Sequence, residues 1–125
     1  MSELPNAVRR RQVALKVKVS GIVGSDLVKD GVSSPYVKIG DITASRVNII
    51  ATIVYKSEES GYTGAVIDDC SGRVSLRAFE DKTMFSKVDV GDIVLVIGRI
   101  REFGGEIYVL PEILKRLADI GWANV

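Results

Sequence analysis

Asp68, Asp69 and Cys70 are consecutive, and by type they are the residues here best able to make or break bonds. Two carboxylates could act as acid and base, and a thiol could act as nucleophile or metal ligand. Their placement argues against each role. Neighbours on a strand point to opposite faces, so the two carboxylates cannot work as a pair and read better as hairpin residues. The chain has no histidine and one cysteine, which leaves the thiol without its usual activating base and leaves no zinc-ligand set. Gly21–Gly24 is too short, and lacks the lysine, to cradle a phosphate in the manner of a Gly-x-x-x-x-Gly-Lys-Ser/Thr loop. We therefore expect no enzyme, no catalytic residue, no metal and no cofactor.

The other chemistry available is stacking. Along Arg73–Phe79, alternation places Arg73, Ser75, Arg77 and Phe79 on one face and Val74, Leu76 and Ala78 on the other. The apolar set goes inside, and Phe79 is left outward beside two guanidiniums as a stacking platform. Beyond Gly98, the residues Arg99, Arg101 and Phe103 fall on one side, with Tyr108 across the hairpin that follows. Lys56 and Tyr55 near the first loop are weaker candidates. Each has a bland reading: Phe79 capping a barrel against Met84 and Phe85, Phe103 folded down as a hairpin staple, arginines simply solvated. Function is favoured narrowly for the two phenylalanines. For Tyr36, Tyr55 and Tyr62 strand-edge packing is the better reading.

These residues need a scaffold of short strands. Val47–Tyr55, Thr63–Asp68, Arg73–Phe79, Ile93–Ile100 and Glu106–Leu110 are rich in β-branched and aromatic residues and are bounded by Gly, Asp or Ser. Val13, Leu15, Val17 and Val19 alternate with smaller or polar residues, which predicts a strand preceding them. Residues 21–34 read as a loop, and 35–45 as a lead-in with a turn at Gly40-Asp41. Glu80–Lys87 lacks alternation, opens with two acids, ends in lysine and carries Met84-Phe85, which predicts a short helix after the third strand. Gly104-Gly105 suits a tight hairpin. Pro111, followed by Ile113, Leu114, Leu117 and Ile120 at helical spacing, predicts a last helix over 112–120 with Trp122 just beyond it.

The 125 residues suffice for one domain with a real core. Lys plus Arg number 17 against 16 Asp plus Glu, a net charge of +1, so any electrostatic footprint must be local. Single-cysteine usage suits a reducing compartment, and with no signal-like or bilayer-length apolar run the chain is expected to be cytoplasmic, neither secreted nor in a membrane. The division expected is a basic arm over 1–12, carrying Arg9, Arg10 and Arg11, then a barrel domain over 13–110, then an oligomerisation helix over 111–125.

Three meandering strands, a helix and two more strands is the order of the oligonucleotide/oligosaccharide-binding (OB) barrel. Arg46–Val54, Asp68–Arg73, Val90–Arg101 and Leu110–Ile113 resemble replication protein A subunits, particularly the middle or small subunits of archaeal type, and the resemblance extends over Val13–Trp122. It implies an all-β fold with flanking helices: a five-stranded OB barrel, a helix between strands three and four, and a C-terminal helix. It also implies a subunit of a heterotrimeric single-stranded-DNA-binding complex in replication, recombination and repair, nucleoid-associated if archaeal. Aromatics on the third strand and in the loop between strands four and five stack bases in that family; Phe79 and Phe103 stand there. The expected DNA contacts are Phe79, Phe103, Arg73, Arg77, Arg99, Arg101, Tyr108 and Lys56. The helix after the barrel joins two partner subunits in that family, which implies an interface through Ile113, Leu114, Leu117, Ile120 and Trp122. The middle subunit usually carries a further helical domain, so an end at Val125 implies a smaller subunit or a trimmed chain. Two rivals stay open: a purely structural subunit that does not touch DNA, and an RNA-binding module of the same fold.

Overall fold

The computed structural model describes residues 14–29 and 35–120, with side chains up to residue 118. The expected basic arm over 1–12 and Trp122 lie outside the described residues, as does the side chain of Ile120. Among the described residues nine strands are seen in order: β1 (Leu15–Lys16), β2 (Leu27–Val28), β3 (Tyr36–Ile39), β4 (Ile42–Ala44), β5 (Arg46–Glu58), β6 (Thr63–Asp68), β7 (Arg73–Ala78), β8 (Ile93–Phe103) and β9 (Glu106–Arg116). A five-residue helix, α1 (Val19–Val23), follows β1.

β5 to β9 form the five-stranded barrel, neighbours running β5-β6-β7-β9-β8 and closing through β8 onto β5. Closure depends on β5 serving two neighbours in turn. Arg46 to Thr52 pair with β8, and Thr52 to Glu58 pair with β6 across a register shift between Ile53 and Tyr55. That irregularity bends the strand, as bulges do at barrel corners. Val47, Ile49, Ile53, Ile67, Leu76, Val94, Val96, Ile100 and Val109 point inward and are buried, each contributing about 1.5–3 kcal/mol.

The lead-in folds as a second, three-stranded sheet, β2-β3-β4. Gly40, at φ 63°, makes its turn where the sequence placed one. Val37 and Ala44 from this sheet are buried in the common core.

Both predicted helices are corrected: among the described residues no α-helix exceeds the five residues of α1. Residues 82–87 run as successive turns in which the Met84, Ser86 and Val88 N–H groups donate three residues back, to Asp81, Thr83 and Phe85. The Asp81 carboxylate accepts from the Thr83 N–H at 3.1 Å and its hydroxyl at 2.7 Å, the contact that opens a helical turn, but the chain beyond it runs on in three-residue turns. Of the apolar pair expected to be buried by that helix, Phe85 is buried and Met84 half-buried, and Val88 beyond them is buried as well.

At the C-terminal side, residues expected to be helical continue β9 instead. Ile113, Leu114, Lys115 and Arg116 pair with Ile97, Val96, Leu95 and Val94, and a short 3-10 turn follows over Leu117–Ile120. Pro111, expected to open a helix, stands opposite Gly98 at the irregularity in the β8–β9 ladder, where its missing N–H breaks no regular pairing. The apolar residues that suit one face of a helix suit a strand equally over so few positions. Ladder pairing with β8 decides between them. Leu114 packs on the core and Ile113 faces outward.

The expected strand over Val13–Val19 is also cut short. Val13 lies outside the described residues, and among those described only Leu15 and Lys16 pair, in parallel, with Val47 and Asn48. The chain then turns into α1 because the hairpin after β6 caps it: the Val19 N–H donates to Asp69 Oδ2 at 2.9 Å and the Ser20 N–H to Ser71 Oγ at 3.0 Å. α1 and β2 occupy part of the segment read as loop. No helix among the described residues is long and apolar enough to cross a membrane.

Candidate nucleic-acid interface

The outer face of β7 carries Arg73, Ser75 and Arg77, with Phe79 just past its end, while Val74, Leu76 and Ala78 are buried. β9 lies alongside in parallel, Ser75 opposite Tyr108, so Tyr108 shares this face. β8 continues it, with Arg101 opposite Tyr108 and Phe103 opposite Glu106. On the far side, Gly64 of β6 stands opposite Arg77. A Cβ at Gly64 would lie 3.3 Å from the Tyr62 ring, so the missing side chain lets that ring settle against the sheet.

Four side chains meet there. Phe79 is tilted against Tyr62, centroids 5.4 Å apart, and meets Tyr108 edge-on at 6.1 Å. The Arg77 guanidinium sits 5.3 Å from the Tyr62 ring centre and 4.8 Å from that of Tyr108, within cation–π range of both. Its Nη2 donates to Glu106 Oε1 at 3.0 Å. Tyr108 is 8% exposed and Phe79 40%, so Phe79 offers an open ring held from behind by the buried Tyr108 and the half-buried Tyr62. Phe85 belongs to the buried core and Phe79 does not. Phe103, 73% exposed beside the Gly104-Gly105 turn, stands at the strip's other end and has no ring neighbour among the described residues.

The remaining expected contacts divide. Arg101 is on the strip and donates to the Ile100 carbonyl at 3.0 Å, and among the described residues it meets no carboxylate. Arg73 is turned to Asp68 at 2.8 Å, and Arg99 to Glu112 at 3.1 Å. Arg46 approaches the same Glu112 at 2.7 Å. Burial pushes the Glu112 carboxyl up, but the hydrogen bonds and charges of Arg46 and Arg99 outweigh it and hold the group below its ordinary value. The Cys70 N–H and then the Arg73 guanidinium hold the Asp68 carboxyl low. Asp68 and Asp69 build the hairpin, accepting from the Cys70 N–H at 2.6 Å and the Ser71 N–H at 2.9 Å, with Cys70 at φ 75°.

Lys56 stands apart from the strip. Its ammonium donates to the carbonyls of Phe85 at 3.0 Å and Val88 at 2.7 Å, tying the turns at 82–87 to β5. Lys56→Ala should lower stability by about 1–3 kcal/mol through these unsatisfied carbonyls and leave single-strand affinity unchanged. Urea denaturation and an anisotropy titration of one preparation check both halves, and weaker binding by a variant of native stability would return Lys56 to the site.

Of the residues expected at a partner interface, Ile113 and Leu114 lie on β9 and Leu117 in the final turn. Tyr62, read as edge packing, proves central to the ring cluster. Its signal was Gly64, an outward strand position without a side chain, two residues on. Glu106 and Glu112, which pair the arginines, carried no local signal because their partners are distant in sequence.

No family model matches the chain. An uncharacterized protein of Methanocaldococcus jannaschii is 29% identical over 117 residues, which is 94% of this chain and 46% of that protein, so the chain spans about half its relative's length. Among solved structures, a replication protein A heterotrimer bound to single-stranded DNA superposes with a TM-score of 0.69 at 12% identity, over 83% of this chain and 80% of that one. Yeast replication protein A bound to single-stranded DNA gives 0.67 at 17%, over 86% and 78%. The S. pombe Stn1–Ten1 complex gives 0.70 at 16%, over 90% and 85%. The chain has an OB fold. Identities this low carry the architecture and nothing about ligands. The OB barrel here holds its ring cluster on β7 and β9, with Phe103 at the β8–β9 turn.

Proposed function

We propose that this chain is a non-catalytic, DNA-contacting subunit of a single-stranded-DNA-binding complex of the replication protein A kind, in its archaeal form, serving replication, recombination and repair. One observation carries the proposal: the outward strip from Phe103 and Arg101 through Tyr108 and Arg77 to Phe79 and Tyr62. Flat rings interleaved with guanidiniums suit splayed bases and the phosphates between them, and a duplex presents no free base faces to such a surface. The archaeal source of the curated relative supports the archaeal form. Assembly with two further subunits is part of the same proposal. It is supported by apolar side chains left outward on the far stretch of the sheet, Ile93 and Ile113 among them.

Titration of the chain with a single DNA strand, its duplex and the matching RNA tests the reading. The single DNA strand should bind best, with a log–log salt slope of about −0.7 per neutralised phosphate. The slope should be shallow, since Arg73, Arg77 and Arg99 each already face a carboxylate. No binding at low salt would leave the structural-subunit rival standing, and a preference for RNA would favour the RNA-binding one.

A further inference from the structure

Beyond Phe79 the strip runs into a groove of about 370 Å³, walled by Phe79, Met84 and Pro111 and edged by Glu80, Asp81 and Glu112. Resting on the single-strand reading above, we infer that this groove is a nucleobase pocket that selects for bases offering N–H donors, guanine first, and against thymine.

Its size is at the small end of ligand pockets, which start at about 300 Å³, and suits one base rather than a longer ligand. An aromatic ring, a thioether and a pyrrolidine make apolar walls that suit the face of a flat heterocycle better than a hydrated cation.

The polar side chains at its edge are all carboxylates, so the groove accepts hydrogen bonds and its side chains donate none. The carboxylates are not equivalent. Glu112 is held by Arg46 and Arg99. Asp81 Oδ1 is taken by Thr83. Glu80 is exposed and has no hydrogen bond or ion pair among the described residues. Of the three it is the carboxylate with both oxygens left for a ligand.

A carboxylate fits the base edges unequally. Guanine presents N1–H and its 2-amino group side by side, matching both oxygens of one carboxylate. Cytosine and adenine each present one amino group. Thymine presents N3–H between two carbonyl oxygens, which the carboxylate repels. Negative charge at the groove also turns the phosphates outward, toward the strip where Arg101 lies. One well-formed base contact of this kind corresponds to a preference of about fivefold to 150-fold.

The test uses the full chain and a dT strand in which a single dG, dC or dA is moved through each position at fixed length and salt. We expect the dT strand to bind, one dG to tighten binding by at least about fivefold at a particular position, and the gain to vanish in Glu80→Ala while affinity for plain dT is kept or rises, the carboxylate that repels thymine having gone. Uniform affinity for all strands in the wild-type chain would overturn the base pocket and leave the single-strand reading intact. A dG gain that survives Glu80→Ala would overturn the assignment to this carboxylate. Failure of every strand to bind would overturn the single-strand reading and the pocket with it.

Discussion

Phe79→Ala should weaken binding to single-stranded DNA by about 1–3 kcal/mol, a fivefold to 150-fold rise in Kd, and Phe103→Ala should cost less. Both rings are exposed, yet they differ in readiness. Phe79 rests on Tyr62 and Tyr108, which are braced by Arg77, so its rotamer is set before a base arrives. Phe103 lacks such support among the described residues and must be ordered by its ligand, which consumes part of the stacking gain. Because Phe79 is 40% exposed and outside the core but packs on two rings, the substitution should cost about 1–2 kcal/mol of stability and leave the barrel folded. Anisotropy titrations of the single and double variants, beside urea denaturation, measure both effects. Wild-type affinity in the double variant would remove both rings from the site.

The barrel was legible because its strands report themselves locally. Alternation along Arg73–Phe79 assigns each side chain to a face without knowledge of the rest of the chain, and the structure places Val74, Leu76 and Ala78 inside and Phe79 outside as that alternation requires. What could not be read depends on partners far away in sequence. Val19–Val23 forms a helix because Asp69, fifty positions on, caps it. Ile113–Arg116 forms a strand because β8 pairs with it, whereas the local pattern of Pro111 followed by spaced aliphatics suits a helix as well. Local sequence also misjudges the charge of the strip. Arg77 and Arg99 read as free cations, while Glu106 and Glu112, twenty-nine and thirteen positions away, meet them in the fold. The near-neutral net charge of the chain thus has a local counterpart. Much of the strip's basicity is offset in place, which shifts the weight of any single-strand affinity from phosphate attraction toward stacking.

Gly98→Ala should be among the most destabilising single substitutions in the barrel, at about 2–3 kcal/mol. A Cβ there would meet the Leu110 carbonyl oxygen at 2.5 Å, Val109 Cγ1 at 2.8 Å and Pro111 Cα at 2.9 Å. Two of these are backbone atoms that a rotamer change cannot move. The site is also where the β8–β9 register shifts, between Ile97 and Gly98. Glycine therefore sets how closely β9 can approach, and through it where β9 leaves Pro111 and Glu112 at the groove and Tyr108 under Phe79. Gly61→Ala is the control, since a Cβ there meets nothing within 4 Å, and it should change stability by no more than about 0.5 kcal/mol. Urea denaturation should show a lower midpoint for Gly98→Ala at an unchanged slope. Any loss of single-strand affinity in the fraction that remains folded would then report the displaced β9. A Gly98→Ala chain as stable as wild type would contradict the close approach of the two strands on which the geometry of both the ring cluster and the groove depends.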